Sequence, residues 1–343
     1  MSSTIRVLTW NISFGAMTGS DQDKTSLPLP EVCRSKLIPD DLGVSFTQCL
    51  MNVVDTIDKS AESQSYDFVA LQEASNWNII FSKSKELQRM RGYVNHLADL
   101  EDMATFYDAN KYTLLAVKVG NLAPSNGRPY QILFLQNKQD NNYYIFINLH
   151  NGHRISKDQL EKKLSYNLNR GNIPIQISIG NPSYNDGAHE SDISDIINGK
   201  NFKVIMAGDT NDHGNYDYWQ GLQPFSKSDF YNLNNIIIKS TLEPPLTCCS
   251  PLTSWDKPIR TSIDDDNMLG DYILVSENLH VSVNNRILEC FNYNAEVFPT
   301  SDHLPVEIIL NTIPIRSDGG ALKNKEKYLK YKQKYLELKK TLF

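Results

Sequence analysis

The chain has 343 residues, 40% hydrophobic and 22% charged, which is enough apolar material for a sizeable core and excludes global disorder. Its longest apolar runs, at 145–147, 204–207 and 236–238, fall far short of the ~20 residues of a membrane span, so no transmembrane helix is expected. The net charge of −6 is uneven: residues 321–343 hold eight lysines and two glutamates, a net +6, which leaves −12 on the acidic remainder.

In chain order, strand-like runs rich in β-branched and aromatic residues fall at 5–10, 66–71, 112–119, 130–135, 143–149, 202–207, 236–239, 272–276, 281–285 and 305–310. Some are apolar at consecutive positions, the pattern of strands buried on both faces. Helical candidates lie between them at 46–59, 82–91, 157–168 and 191–198. So many strands with so few helices suggest two sheets packed together with helices outside. Three loop-like stretches, 15–43, 171–187 and 243–270, are long enough to be functional or disordered. The third carries the acidic triplet Asp264, Asp265 and Asp266, read as a solvated loop.

Residues 316–320 read as a linker, which divides the chain into a body at 1–315 and a basic tail at 316–343. In the tail Tyr328, Tyr331, Tyr335, Leu338 and Leu342 form a heptad seam on a lysine-rich helix. Docking on the body or self-association is the preferred reading, with a partner-binding helix or a phosphate-contacting patch as the alternatives. The five cysteines, Cys33, Cys49, Cys248, Cys249 and Cys290, are odd in number and include no CxxC. They are expected to be reduced thiols in an intracellular protein. The N-terminus shows no secretory signal.

The chemistry concentrates at strand ends. These carry Thr9-Trp10-Asn11, Leu71-Gln72-Glu73, Asn148-Leu149-His150, Gly208-Asp209-Thr210-Asn211, Gly270-Asp271-Tyr272-Ile273-Leu274 and Ser301-Asp302-His303-Leu304-Pro305. Any one of these alone is weak, since a lone histidine is more often structural than catalytic. As a set, acids, amides and histidines at strand ends can converge on one rim of two packed sheets. Phosphoester hydrolysis needs such a set: hard oxygen ligands for a divalent cation, a group that orients water, and donors for developing phosphoryl charge. An acidic body does not preclude a phosphate substrate, because bound cations invert the local field.

These six motifs, in this order from residue 9 to residue 305, resemble the endonuclease/exonuclease/phosphatase superfamily, which includes deoxyribonuclease I. The resemblance implies a four-layer α/β sandwich with two central, mainly antiparallel β-sheets flanked by helices, and a phosphodiesterase dependent on Mg²⁺ or Mn²⁺. It implies metal ligation by Glu73 with Asn11 beside it and support from Asp302. Asp209 and Asn211 would position water and a phosphate oxygen. His303 would contact the scissile phosphate, with Asp271 fixing its tautomer, and His150 would contact the phosphate or protonate the leaving oxygen. Glu101 is a match for the carboxylate that partners this last histidine in deoxyribonuclease-like members.

The Asn148-Leu149-His150-Asn151 stretch argues against abasic-site incision, and Tyr272 stands where inositol polyphosphate 5-phosphatases carry a phosphate-binding arginine. The short motifs look most like tyrosyl-DNA phosphodiesterase 2. The 15–43 and 243–270 loops should emerge at the catalytic rim, where Trp255, Lys257 and Arg260 offer a stacking face and two cations to a substrate. The tail pattern resembles C-terminal helices in proteins of large DNA viruses, so the expected location is cytoplasmic or within a virion. The expected partner is a phosphoester substrate, most naturally a nucleic acid or nucleotide-linked bond. The alternatives are a phosphomonoesterase or a lipid or inositol phosphate phosphoesterase and, in another class, a non-catalytic binding scaffold.

Overall fold

Side chains leave a strand alternately on its two faces, so a strand covered on both sides needs apolar residues at consecutive positions. The central strands of this chain meet that demand, and in a computed structural model they form two stacked sheets. The structure describes residues 4–18, 38–39, 45–95, 102–123, 128–152, 155–169, 177–179, 193–212, 217–240, 269–279, 281–287, 301, 303 and 305–312.

The first half of the chain gives β1 (Thr4–Asn11), α1 (Phe14–Thr18), β2 (Ile38–Pro39), β3 (Ser45–Phe46), α2 (Gln48–Ala61), β4 (Phe68–Gln72), α3 (Trp77–Lys83), α4 (Lys85–Gln88), β5 (Arg91–Asn95) and β6 (Met103–Tyr107). Next come β7 (Tyr112–Ala123), β8 (Arg128–Asn137), β9 (Tyr143–His150), α5 (Lys157–Leu168), β10 (Ile177–Ile179), α6 (Ile193–Ile197) and β11 (Phe202–Asp212). The chain continues through α7 (Tyr231–Asn234), β12 (Ile238–Lys239), β13 (Leu269–Ser276), β14 (Val281–Ile287) and β15 (Val306–Thr312).

One sheet has the order β10-β5-β6-β4-β1-β15-β14, the other β12-β13-β11-β9-β8-β7. Pairing is antiparallel except for β1 with β4 and β9 with β11. Each of these parallel pairs is joined by a crossover that contains a helix, α2 in the first case and α5 in the second, as a parallel connection requires. Three apolar cores fill the three interfaces of a four-layer sandwich. One lies between the first sheet and α2–α4, with Leu8, Trp10, Val53, Ile57, Leu71 and Ile80. A second lies between the other sheet and α5–α6, with Ile147, Leu160, Leu164, Ile197 and Leu274. The third lies between the two sheets, with Val7, Phe68, Phe146, Ile205, Ile273 and Ile308.

The rows that face this middle core change character along each strand. In β1 the row runs Ile5, Val7, Thr9, Asn11; in β4, Phe68, Ala70, Gln72; in β9, Tyr144, Phe146, Asn148, His150; in β11, Ile205, Ala207, Asp209. β13 runs the opposite way, as Asp271, Ile273, Val275. All of these side chains are buried. The apolar core therefore gives way to amides and then to ionisable groups at one rim.

All ten expected strand runs contain a strand, and the helix expected at 157–168 has those bounds. The helix expected at 82–91 is instead two short helices separated at Ser84. That residue is extended (φ −84°, ψ 121°), and its hydroxyl accepts the Leu87 N–H and so starts α4. The Asp58 carboxylate reinforces the break by accepting the Lys85 and Glu86 N–H groups. The loop expected at 15–43 opens within a helix, α1, and includes β2, which pairs with β3 just beyond it. Cys49 is disulfide-bonded, which corrects the expectation of wholly reduced thiols. Its partner is outside the described residues, and spacing alone cannot disclose which sulfurs a fold brings together. The 316–343 tail is likewise outside the described residues. No described helix is long and apolar enough to cross a membrane.

Candidate active site

The rim is assembled by strand register. In the parallel ladder His150 is the partner of Asp209, and in the adjoining antiparallel ladder Asp209 is the partner of Asp271. Gly208 permits this approach: its φ is +152°, and a Cβ there would overlap the Leu149 carbonyl. Two acids directly opposite each other in a ladder repel. His303 lies between them, with Nδ1 2.9 Å from an Asp271 oxygen and Nε2 3.7 Å from Asp209 Oδ2. With Asp271 accepting the Nδ1–H, Nε2 is directed toward Asp209.

Across the sheets, Asn11 completes the group. Its Nδ2 donates to Glu73 Oε1 and to Asp209 Oδ2, each at 3.0 Å, and lies 3.4 Å from His303 Nε2. Its Oδ1 accepts the Ser13 N–H at 3.1 Å, which orients the amide. Glu73 follows β4 with φ +52°, a left-handed conformation rare for a residue with a side chain, and its Oε2 accepts the Phe14 N–H. Ser13, just beyond β1, and Asn211, at the irregularity of β11 between Asp209 and Asp212, have positive φ as well. Such outliers cluster at functional sites, where the surrounding structure holds them at a cost of about 1–3 kcal/mol each.

Asp209 is fully buried. Burial alone would raise its pKa, but His303, hydrogen bonding and charge from His150, and the Asn11 amide hold its carboxyl well below the usual carboxylate range. His150 Nε2 is 3.4 Å from Asp209 Oδ2 and 3.8 Å from Glu73 Oε1. Glu73 is the accessible member of the group: its side chain is 20% exposed, against 1% for His150. An ion or substrate arriving at the rim meets this carboxylate.

The residues expected at the site are thus largely together. Asn11 and Glu73 are adjacent, and Asp209, Asp271, His150 and His303 surround them. Asn211 is at the rim, but its Nδ2 turns inward to the Asn151 carbonyl and Asp209 Oδ2. Asp302, Trp255, Lys257, Arg260 and Glu101 are outside the described residues.

Three contributors were not legible as such. Arg128 begins β8 and sets its Nη1 against the His150 ring, bringing a permanent positive charge to the rim. The hairpin register gives the signal: Tyr130 pairs with Leu149, so two residues before Tyr130 must lie beside the end of β9. Trp10 Nε1 donates to the His303 carbonyl, and the Ser301 hydroxyl donates to the Asn11 carbonyl and accepts the His303 N–H. These bonds tie the final motif to the end of β1.

The donor set suits a hard divalent cation. Ligand atoms of Asp209, Asp271 and His303 all lie within 4.8 Å of one another. The Asp271–His303 hydrogen bond engages two of these three, whereas the carboxylates of Asp209 and Glu73 both accept from the Asn11 amide. Carboxylate oxygens favour hard cations over soft ones.

No protein-family model matches the sequence. The chain is 26% identical over 306 residues to an uncharacterized protein of Acanthamoeba polyphaga mimivirus, a match that covers 88% of this chain and 49% of that protein. The chain thus spans about half the length of that curated relative. Among solved structures, an endonuclease/exonuclease/phosphatase family protein from Bacteroides thetaiotaomicron superposes with a TM-score of 0.53 at 17% identity, covering 92% of this chain and 97% of that one. A mannosyl-6-phosphatase from the same organism gives 0.51 at 16% identity, covering 89% and 99%. Truncated TDP2 from Caenorhabditis elegans gives 0.51 at 13%, covering 90% and 98%. The fold resemblance read from the six motifs is therefore present in three dimensions: this chain has the fold of the endonuclease/exonuclease/phosphatase family.

Proposed function

We propose that the chain is a phosphoesterase dependent on Mg²⁺ or Mn²⁺ that hydrolyses phosphodiester bonds in a nucleic acid or nucleotide-linked substrate. The observation that carries this reading is the convergence of Glu73, Asp209 and His303 on the Asn11 amide, at 3.0–3.4 Å. A bound hard cation supplies Lewis-acid stabilisation of the phosphoryl oxygens. Glu73 and Asp209 are the side chains proposed to hold it, kept at their spacing by Asn11, with Asp302 from the adjoining motif as an additional carboxylate. The depressed pKa of Asp209 keeps it an acceptor, suited to orienting an attacking water. His303, held by Asp271, directs one ring nitrogen into the site and contacts the scissile phosphate. His150 lies beside both carboxylates, and the Arg128 guanidinium next to it supplies donors for phosphoryl charge. Asn211 supports Asp209 through its backbone N–H, which donates to Asp209 Oδ1 at 2.8 Å. Trp255, Lys257 and Arg260 are proposed substrate contacts on the 243–270 segment.

The TDP2 likeness supports a nucleic-acid-linked substrate. The mannosyl-6-phosphatase likeness, at the same TM-score of 0.51, supports a second reading as a phosphomonoesterase. One assay separates them: plasmid DNA, single-stranded RNA, 5′-tyrosyl-DNA, inositol phosphates and a sugar phosphate compared in Mg²⁺, with Glu73→Ala as the blank. Turnover of the diesters or of the tyrosyl-linked DNA supports the first reading, and turnover confined to monoesters replaces it with the second.

A further inference from the structure

Directly beneath the ionisable rim lies a layer of six buried polar side chains: Thr9, Gln72, Asn148, Thr105, Gln131 and Asn95. Gln72 Nε2 donates to Asn148 Oδ1 at 2.7 Å and to Thr9 Oγ1 at 3.2 Å. Asn148 Nδ2 donates to Thr105 Oγ1 at 2.9 Å and to the Ala104 carbonyl at 3.1 Å. The Thr105 hydroxyl donates to Gln131 Oε1, and Gln131 Nε2 donates to Asn95 Oδ1 at 3.1 Å and to the Met103 carbonyl at 3.2 Å. Asn95 Nδ2 ends the chain on the Tyr130 carbonyl at 3.3 Å.

The layer crosses between the sheets repeatedly. Thr9, Gln72, Thr105 and Asn95 belong to one sheet, Asn148 and Gln131 to the other. Apolar residues fill the neighbouring positions of the same inward rows, so these amides occupy sites where leucine or valine would pack. Apolar contact is non-directional and fixes the separation of two sheets only loosely, whereas hydrogen bonds fix both distance and angle. Each key member also lies within two residues of a rim group: Thr9 before Asn11, Gln72 before Glu73, Asn148 before His150. The Gln72–Asn148 bond therefore joins the strand end that presents Glu73 to the strand end that presents His150.

We propose that Gln72 and Asn148, braced by Thr105 and Gln131, are positioning residues that set the spacing of the Glu73 and His150 sides of the site across the two sheets. The inference deepens the phosphoesterase reading and rests on it. A misplacement of about 1 Å in a reacting constellation costs on the order of 10²-fold in rate, so a layer that fixes spacing acts on kcat.

The test compares Gln72→Met, Asn148→Leu and the double variant in thermal melts and in Mg²⁺-supported hydrolysis of bis-p-nitrophenyl phosphate. Each single change leaves a buried amide unsatisfied and lowers both Tm and kcat. The double change removes both partners, and stability returns toward wild type, because paired replacement by apolar groups can be nearly neutral. With stability restored, kcat is expected to stay about 10- to 100-fold down at unchanged KM. Recovery of kcat in step with Tm would reduce the layer to a structural device and overturn the proposal.

If the double variant does not fold, the isosteric Thr105→Val change, which removes only a bracing hydroxyl, gives the same comparison, and an unaltered kcat overturns the proposal. If wild-type protein hydrolyses no phosphoester, the functional reading fails separately. The positioning claim is then read from the imidazole ¹⁵N resonances of His150 and His303, which are expected to move in the folded variants. Unmoved resonances there contradict it.

Discussion

Buried ionisable groups gather toward the start of β1 and, at its other end, around the rim, and the two ends are built differently. Toward the start of β1, Arg6 faces the helical layer and pairs with Glu307 at 2.6 Å, with Tyr66 O–H donating to the same oxygen at 2.7 Å. The Arg6 guanidinium also donates to the Ser60 carbonyl, near the C-terminal end of α2, where positive charge suits the helix dipole. Close by, Asp67 accepts from Lys111 and from the Arg6 N–H. Burial raises the pKa of Asp67 and, with Glu307, pushes that of Tyr66 far up. Here opposite charges are matched, Arg6 with Glu307 and Lys111 with Asp67. At the rim, Asp209 and Asp271 stand opposite each other, two histidines crowd Asp209, and that buried carboxyl is driven toward ionisation. The first arrangement closes a structure. The second sustains repulsion and strained backbone that packing alone would not select, in keeping with the proposed chemistry.

Substitutions should separate the ends. The largest effect is expected from Asp209→Asn or His303→Ala, each lowering the hydrolytic rate by about 10²–10⁴-fold with Tm held or raised. A large fall in Tm with no rate loss in the folded fraction would place both residues in the structural class. Next, Arg6→Met should strand buried Glu307 and cost about 3–5 kcal/mol in chemical denaturation, while kcat/KM of the folded protein is unchanged. Adding Glu307→Leu should return much of that stability, since a buried pair is often replaceable by apolar groups. A loss confined to activity would erase the contrast between the ends. Asp271→Asn combined with His303→Ala should cost little more rate than His303→Ala alone, because the two form one unit. Fully additive losses would assign them to separate tasks. Among the rim substitutions the smallest effect on rate is expected from Trp10→Phe, which removes the hydrogen bond to the His303 carbonyl and some buried volume, and should cost about 1–3 kcal/mol of stability with a modest fall in kcat.

Much of this was legible because the chemistry lies on strands, where position along the chain fixes the face. Asn11, His150 and Asp209 each continue an inward row that begins with apolar residues, and Asp271 opens such a row, so a period of two both identifies the strand and aims the side chain. Glu73 was legible through its motif, not its periodicity, since the left-handed turn after Gln72 resets its direction. Arg128 escaped because the expected strand began at Tyr130, two residues late. The short strands β5 and β6 escaped as well: Arg91–Asn95 holds a glycine and ends in an asparagine, and its ladder with Met103–Tyr107 supplies order that propensity does not. The break at Ser84 depends on Asp58, which is distant in sequence. The Cys49 disulfide depends on a partner that sequence spacing does not specify.

The central claim is that the rim, with a divalent cation, hydrolyses phosphoesters. The direct measurement is nitrophenolate release from bis-p-nitrophenyl phosphate by the wild-type chain, by Glu73→Gln and by Asp209→Asn, with Mg²⁺ or Mn²⁺ and with excess EDTA. Metal-dependent release by the wild type, abolished by EDTA and lowered by about 10²-fold or more in both folded variants, is the expected result. Full turnover in EDTA, or wild-type rates from Asp209→Asn, would contradict it.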